Sequence, residues 1–137
     1  MNGEGKCFLD SNVWIYLLTD DDPAKKERAG RLLAGIKRKV VSWQVVNEVC
    51  VNLLKKKNKT EALVSLAIEL ICESCEVVDF SKPLLEAGGD LRKKHGVSFW
   101  DSLVIAAALE ASCETFASED MQDGMKFGRM TVRNIFR

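Results

Sequence analysis

Apolar positions along this chain change period repeatedly, and each change marks an element boundary. Lys6–Leu9 is a short apolar run that stops at Asp10-Ser11-Asn12, with Val13, Trp14, Ile15, Leu17 and Leu18 beyond it. That pattern predicts a strand passing through a polar turn into a helix. From Ala24 to Ile36, Ala29, Leu32, Leu33 and Ile36 share one face, and lysine, glutamate and arginine take the other. Pro23 suits the first turn of that helix, and Asp20–Asp22 suit the residues before it. Val40–Trp43 is predicted as a second strand. Gln44 then opens a helix to about Lys57, with Val45, Val46, Val49, Cys50, Leu53 and Leu54 as its buried stripe.

The second half repeats the alternation. A helix runs from Thr60 or Glu61 to Cys72, and Glu76–Phe80 is a third strand. Ser81 caps a helix from Pro83 to Lys94, which Gly96 ends. Phe99–Ala111 is the next helix, apolar on every face from Leu103 to Leu109, hence buried all round. Thr115–Ser118 and Met130–Phe136 read as the last strands. Strands alternating with one or two helices predict a parallel sheet covered on both faces, in one domain over 1–137.

Within that outline Asp101 is anomalous. It sits in the first turn of the most apolar helix, where a carboxylate enters a core only with a partner. Ser98 three residues earlier resembles a capping box, which would satisfy the acid locally. The other reading is that Asp101 faces a metal ion, and the residues around it leave both open.

Composition narrows the function classes. Twenty basic and twenty acidic side chains cancel, so bulk charge neither suggests nor excludes a polyanion as partner. No apolar run is long enough for a membrane span and no signal-peptide pattern opens the chain, so a cytoplasmic protein is expected. The odd count of five cysteines argues for free thiols, and Cys72-Glu-Ser-Cys75 follows a helix instead of opening one. His95, beside Lys93 and Lys94, reads as a helix C-terminal residue.

Acids recur at the ends of strands. Asp10 follows the first strand, Glu48 lies one turn into the helix after the second, and Asp120 follows the strand at Thr115. In an open parallel sheet the strand exits share the ligand-binding edge, so these groups and Asp101 could converge. Two carboxylates about 4 Å apart repel by roughly 4 kcal/mol at an effective dielectric of about 20. Four together would need protonation or a divalent cation. Oxygen donors alone point to Mg²⁺ or Mn²⁺, and the lack of further histidines argues against zinc or iron. Serine–histidine, cysteine–histidine and glycine-rich phosphate-loop arrangements are absent from the sequence.

Four segments together carry a resemblance. Phe8-Leu-Asp-Ser-Asn12, Val41-Ser-Trp-Gln-Val-Val-Asn-Glu48, Phe99-Trp-Asp-Ser-Leu-Val-Ile-Ala-Ala-Ala108 and Ser118-Glu-Asp-Met-Gln-Asp-Gly124 resemble the acidic motifs of PIN domains. The VapC-type toxins of bacterial toxin–antitoxin pairs are the most similar branch. The resemblance implies a three-layer α/β/α sandwich around a mostly parallel sheet. It also implies Mg²⁺ or Mn²⁺ dependence and hydrolysis of single-stranded RNA to a 5′-phosphate and a 3′-hydroxyl. The family acids fall on Asp10, Glu48, Asp101 and Asp120, with Ser11, Asn12 and Ser118 as polar support and Asp123 as a further or alternative ligand. A small antitoxin partner and a homodimer are implied likewise. RNA grip would come from Lys55–Lys59, Lys93, Lys94 and Arg129, with no individual contact assigned. Two rivals remain: a non-catalytic module of the same fold binding nucleic acid or protein, and an aspartyl-phosphate phosphatase. The phosphatase would want aspartate where Asn12 stands.

Overall fold

The computed structural model describes residues 5–137. Strand β1 (Lys6–Leu9) leads into α1 (Ser11–Leu18) and α2 (Pro23–Gly35); β2 (Arg38–Ser42) leads into α3 (Trp43–Val51) and α4 (Glu61–Ser74). After β3 (Cys75–Val78) come α5 (Lys82–His95) and α6 (Phe99–Glu110), then β4 (Thr115–Ala117), β5 (Lys126–Phe127) and β6 (Met130–Arg133). The sheet runs β3-β2-β1-β4-β6-β5, parallel throughout except where β5 pairs with β6.

This order dictates the layers. The chain steps one way from β1 to β2 to β3 and then crosses back to β4 on the far side of β1. Right-handed crossovers in opposite directions put their helices on opposite faces. Helices α1–α4 therefore cover one face, where α1 touches α2 and α3 and α3 touches α4, while α5 and α6 pair over the other. The expected α/β/α sandwich with a mostly parallel sheet is what the chain forms. Phe8 and Phe116, opposite one another in the β1–β4 register, stack at 5.0 Å in the buried centre.

Local chemistry explains most boundaries. Asp22, Ser42, Thr60, Ser81 and Ser98 each accept a backbone N–H from the first turn of the following helix. Gly96 ends α5 at φ 67°, the left-handed conformation a Cβ disfavours. Asp20 and Asp21 pair with Lys26 and Lys57, so the acids before Pro23 are structural. All five cysteines are free, and burial pushes the Cys7 and Cys113 thiols up to about 12, where they are inert. No helix among the described residues is long and apolar enough to cross a membrane.

Several boundaries differ from expectation. Trp43 begins α3 instead of ending β2, because Ser42 caps the helix with its hydroxyl. The helix expected to reach Lys57 is α-helical only to Val51 and widens into a π-helical turn over Asn52–Lys56, closed by Lys57 N–H on the Asn52 carbonyl. The third strand stops at Val78, leaving Phe80 exposed. The last strand stops at Arg133, where the Asn134 N–H turns to Asp123. The two-residue β5 was not expected at all.

Two adjacent glycines in α5 test the close packing of α5 on α6. A Cβ on Gly88 would lie 2.9 Å from buried Leu103 Cδ2 and 3.3 Å from Ser102 Oγ, whereas one on Gly89 meets only Arg92 Nη2 at 3.6 Å. Gly89→Ala should stabilise the fold in urea melts by about 0.5–1 kcal/mol through helix propensity. Gly88→Ala should instead destabilise it by about 1 kcal/mol or more through overpacking.

Candidate active site

The strand order reverses between β1 and β4, and ligands of open parallel sheets bind beyond the strand ends at that point. Asp10 is the first residue past β1, held to β4 by its N–H on the Ala117 carbonyl at 3.0 Å. It caps α1, with Oδ1 accepting the Ser11 N–H at 2.8 Å and Oδ2 accepting the hydroxyl of buried Ser118 at 2.9 Å. Burial pushes the Asp10 carboxyl up to about 6 despite these two donors, and the negative charges of Glu48 and Asp120 push in the same direction. Asp10 thus feels both of those acids, which arrive from other segments.

Each of the two is positioned by an amide. Gln44 Nε2, one helical turn before Glu48, donates to Glu48 Oε1 at 3.0 Å and to the Trp100 carbonyl at 3.2 Å. It thereby ties the start of α6 to α3. Asn12 Nδ2 donates to Asp120 Oδ2 at 2.9 Å. Asn12 and Ser118 thus donate side-chain hydrogen bonds to Asp120 and Asp10, whereas Ser11 contributes its backbone N–H. Sequence reasoning gave Gln44 no role; its i, i+4 spacing from Glu48 was the available signal.

Asp101 departs from the expectation of burial. It is exposed, and Ser98 Oγ accepts its backbone N–H at 3.2 Å. The apolar helix is buried only from Ser102 inward, so the acid stands at its rim, open to solvent. The desolvated carboxylate of this site is Asp10, which is half-buried. The other acids of the last motif are occupied. Glu119 accepts the Tyr16 hydroxyl at 2.7 Å and pairs with Lys25 at 2.5 Å. Asp123 accepts the Asn134 N–H at 2.8 Å and lies 3.8 Å from Arg137. Of the basic candidates, Lys57 is paired with Asp21, Lys93 and Lys94 lie in the last turn of α5, and Arg129 is exposed beside the β5–β6 turn.

Among the described residues, no lysine or arginine pairs with Asp10, Glu48, Asp101 or Asp120. The edge carries oxygen donors and uncompensated negative charge, a combination that suits a hard divalent cation. Histidine is no competitor, since His95 packs edge-on against Phe127. As they stand, no three of the described histidine, cysteine, aspartate or glutamate side chains are close enough together to hold an ion.

The PIN domain family model matches residues 7–126, most of the chain and all four acidic segments. The chain belongs to the PIN domain family. Nucleases predominate among PIN domains. No curated protein sequence matches the chain. Solved structures share the PIN fold at low identity. VapC20 of Mycobacterium tuberculosis, a Sarcin-Ricin loop cleaving toxin, is 19% identical over 80% of this chain and 86% of its own, with a TM-score of 0.68. A toxin–antitoxin complex from Klebsiella pneumoniae is 17% identical over 94% of this PIN domain and 97% of that chain, at a TM-score of 0.69. VapBC2 from Rickettsia felis, bound to a DNA fragment from its promoter, is 16% identical over 94% and 98%, at 0.68.

Proposed function

We propose that this PIN domain is a Mg²⁺- or Mn²⁺-dependent endoribonuclease acting on single-stranded RNA, and the toxin of a toxin–antitoxin pair. The observation that carries the reading is the half-buried Asp10 carboxyl, pushed up to about 6 at the strand-order switch, with Glu48 and Asp120 acting on it and no basic residue among the described ones paired with them. Asp10, Glu48, Asp101 and Asp120 would hold the cation, directly or through water. Bound there, it would draw charge from phosphate oxygens and lower the pKa of water.

The chain's own residues supply the positioning. Ser11 N–H and Ser118 hydroxyl fix both oxygens of Asp10, Gln44 fixes Glu48, and Asn12 fixes Asp120. Asp101 is exposed with no described side-chain hydrogen bond, so holding a shared ion would require its side chain to turn inward. Asp123 is left out of the ligand set because the C-terminal segment already engages it. An ionised acid at this edge would also orient the attacking water for in-line displacement, leaving a 5′-phosphate and a 3′-hydroxyl.

The complexes among the structural neighbours support an antitoxin partner. An apolar surface suited to one lies on α4. Leu66 and Leu70 are exposed on α4, beside a groove of about 280 Å³ that Leu17, Leu33 and Leu70 help to line. Self-association into a homodimer, implied by the resemblance, is checked by sedimentation. A soluble cytoplasmic setting accords with this reading.

The test is cleavage of a mixed single-stranded RNA pool with Mg²⁺ or Mn²⁺. Sequence-selective cuts that vanish with EDTA and in a folded Asp101→Asn variant are expected. Undiminished cutting by Asp101→Asn would sink the four-acid assignment. Metal binding by calorimetry without any cleavage would favour a binding module of the same fold.

A further inference from the structure

The nuclease reading leaves a groove of about 570 Å³ beside Glu48, between α3 and the first turn of α6, without an occupant. Its walls join residues that are remote in sequence. Trp100 is 62% exposed, far more than a large aromatic normally is, and the Phe99 ring meets it edge-on at 5.2 Å. Phe80 also lines the groove and is 48% exposed, while Asn47 and Lys56 add an amide and a cation. Trp43, the other indole beside α3, is committed to Asp79 by its N–H.

Gln44 adds a second, independent observation. The residue is 7% exposed, and its Oε1 has no hydrogen-bond partner among the described residues. The amide orientation is not arbitrary. Nε2 faces two acceptors, Glu48 Oε1 and the Trp100 carbonyl, so turning the amide round would set oxygen against oxygen. Gln44 lines the groove, and this covered oxygen at that wall lacks a donor, which is costly to keep.

We propose that this groove holds the base of one unpaired nucleotide next to the bond to be cut. The base stacks on the Trp100 indole, an N–H of its edge reaches Gln44 Oε1 once the atoms covering that oxygen give way, and Lys56 faces an adjoining phosphate. An aromatic face, an edge acceptor and a cation along a groove are the means by which proteins hold single strands. Glu48 lines the same groove, so a nucleotide there lies next to the acids. A second copy of this chain is disfavoured as occupant, because a carboxylate, a lysine and amides would be buried at the centre of the contact. The inference takes its substrate class from the nuclease reading but is tested without catalysis.

Binding of a fluorescein-labelled single-stranded RNA of about twelve nucleotides is measured in EDTA, a length that suits a groove of this kind. Trp100→Ala is expected to weaken binding about tenfold, the effect of losing one stacked base, and Trp100→Phe to keep most of it. A duplex of the same sequence, whose bases are already stacked, should bind equally to all three proteins. Equal binding of the single strand by wild type and Trp100→Ala overturns the proposal, as does no binding by the wild type. So does a Trp100→Ala protein whose weaker binding accompanies a change of oligomeric state in sedimentation, since a second copy then covers the groove. RNA bound in EDTA but never cut with Mg²⁺ or Mn²⁺ would sink the nuclease reading and leave this subsite standing.

Discussion

Asp10→Asn, Glu48→Gln and Asp120→Asn should each lower metal-dependent RNA cleavage by roughly two to three orders of magnitude or more, the scale for removing a preorganised charged group from a reacting centre. Glu119→Gln and Asp123→Asn should stay near wild type. The distinction does not come from sequence distance, since Glu119 and Asp120 are neighbours. It comes from what each carboxylate already does. Glu119 is spent on Lys25 and Tyr16, and Asp123 on the Asn134 N–H. Asp120 touches only an uncharged amide, from Asn12. Among the three removals Asp10 should be the most severe, because it sits at the strand-order switch between the others' charges and is fixed at both oxygens. Single-turnover cleavage with saturating Mn²⁺, alongside calorimetric metal affinity, separates lost binding from lost chemistry. A Glu119→Gln protein as inactive as Asp120→Asn would show that the last motif had been assigned to the wrong acid.

Periodicity and capping chemistry locate most of the helices of this chain. Ser81, Ser98 and Gly96 stand where a helix must begin or end, and the structure uses each of them so. The parallel order follows from alternation of strand and helix, and with it the edge that collects Asp10, Glu48 and Asp120. What escaped is short or depends on distant contacts. Lys126 and Phe127 form a strand only because Met130 and Thr131 lie beside them after the turn at Gly128, where φ is 59°. Two residues carry no period. The π-helical turn at Asn52–Lys56 likewise has the apolar spacing of an ordinary helix, with Leu53 buried.

The misplaced burial of Asp101 has a related cause. An apolar run marks a buried helix, but not how far its first turn projects beyond the sheet. Ser102 is buried while its neighbour Asp101 is exposed. The desolvated carboxylate is instead Asp10, which is also the N-cap of α1. Capping and site chemistry are not alternatives here, since one oxygen of Asp10 does the capping and the other receives Ser118. The groove beside Glu48 was illegible for a different reason. Lys55–Lys59 has no aromatic residue near it in sequence, and Phe80 and Trp100 reach Lys56 only through the fold.

Asp10→Asn should make the metal-free protein more stable near neutral pH, even as it abolishes the proposed chemistry. The Asp10 carboxyl stands at about 6 in the folded chain against an ordinary aspartate value of 3.8. A raised folded pKa means that the folded state holds its proton more tightly than the unfolded state. The penalty is thus absent below about pH 4, grows as pH rises towards 6, and is complete above it. The shift sets a ceiling of about 3 kcal/mol at 1.36 kcal/mol per pH unit. Asparagine keeps one oxygen for the Ser11 N–H but disturbs the Ser118 contact, so a gain of about 1–2 kcal/mol is expected in urea melts near pH 7.5. Near pH 4.5, where the folded wild type is largely protonated, the gain should mostly disappear. Mg²⁺ or Mn²⁺ should reverse the ranking. At a concentration about 100-fold above its dissociation constant, a cation that binds only the folded state adds about 2.7 kcal/mol, and the variant should forfeit most of that. Wild type would then overtake Asp10→Asn on metal addition at neutral pH. If metal leaves both proteins unchanged, or if Asp10→Asn is the less stable protein in EDTA near pH 7.5, Asp10 is a structural cap and not a carboxylate held in readiness for a cation.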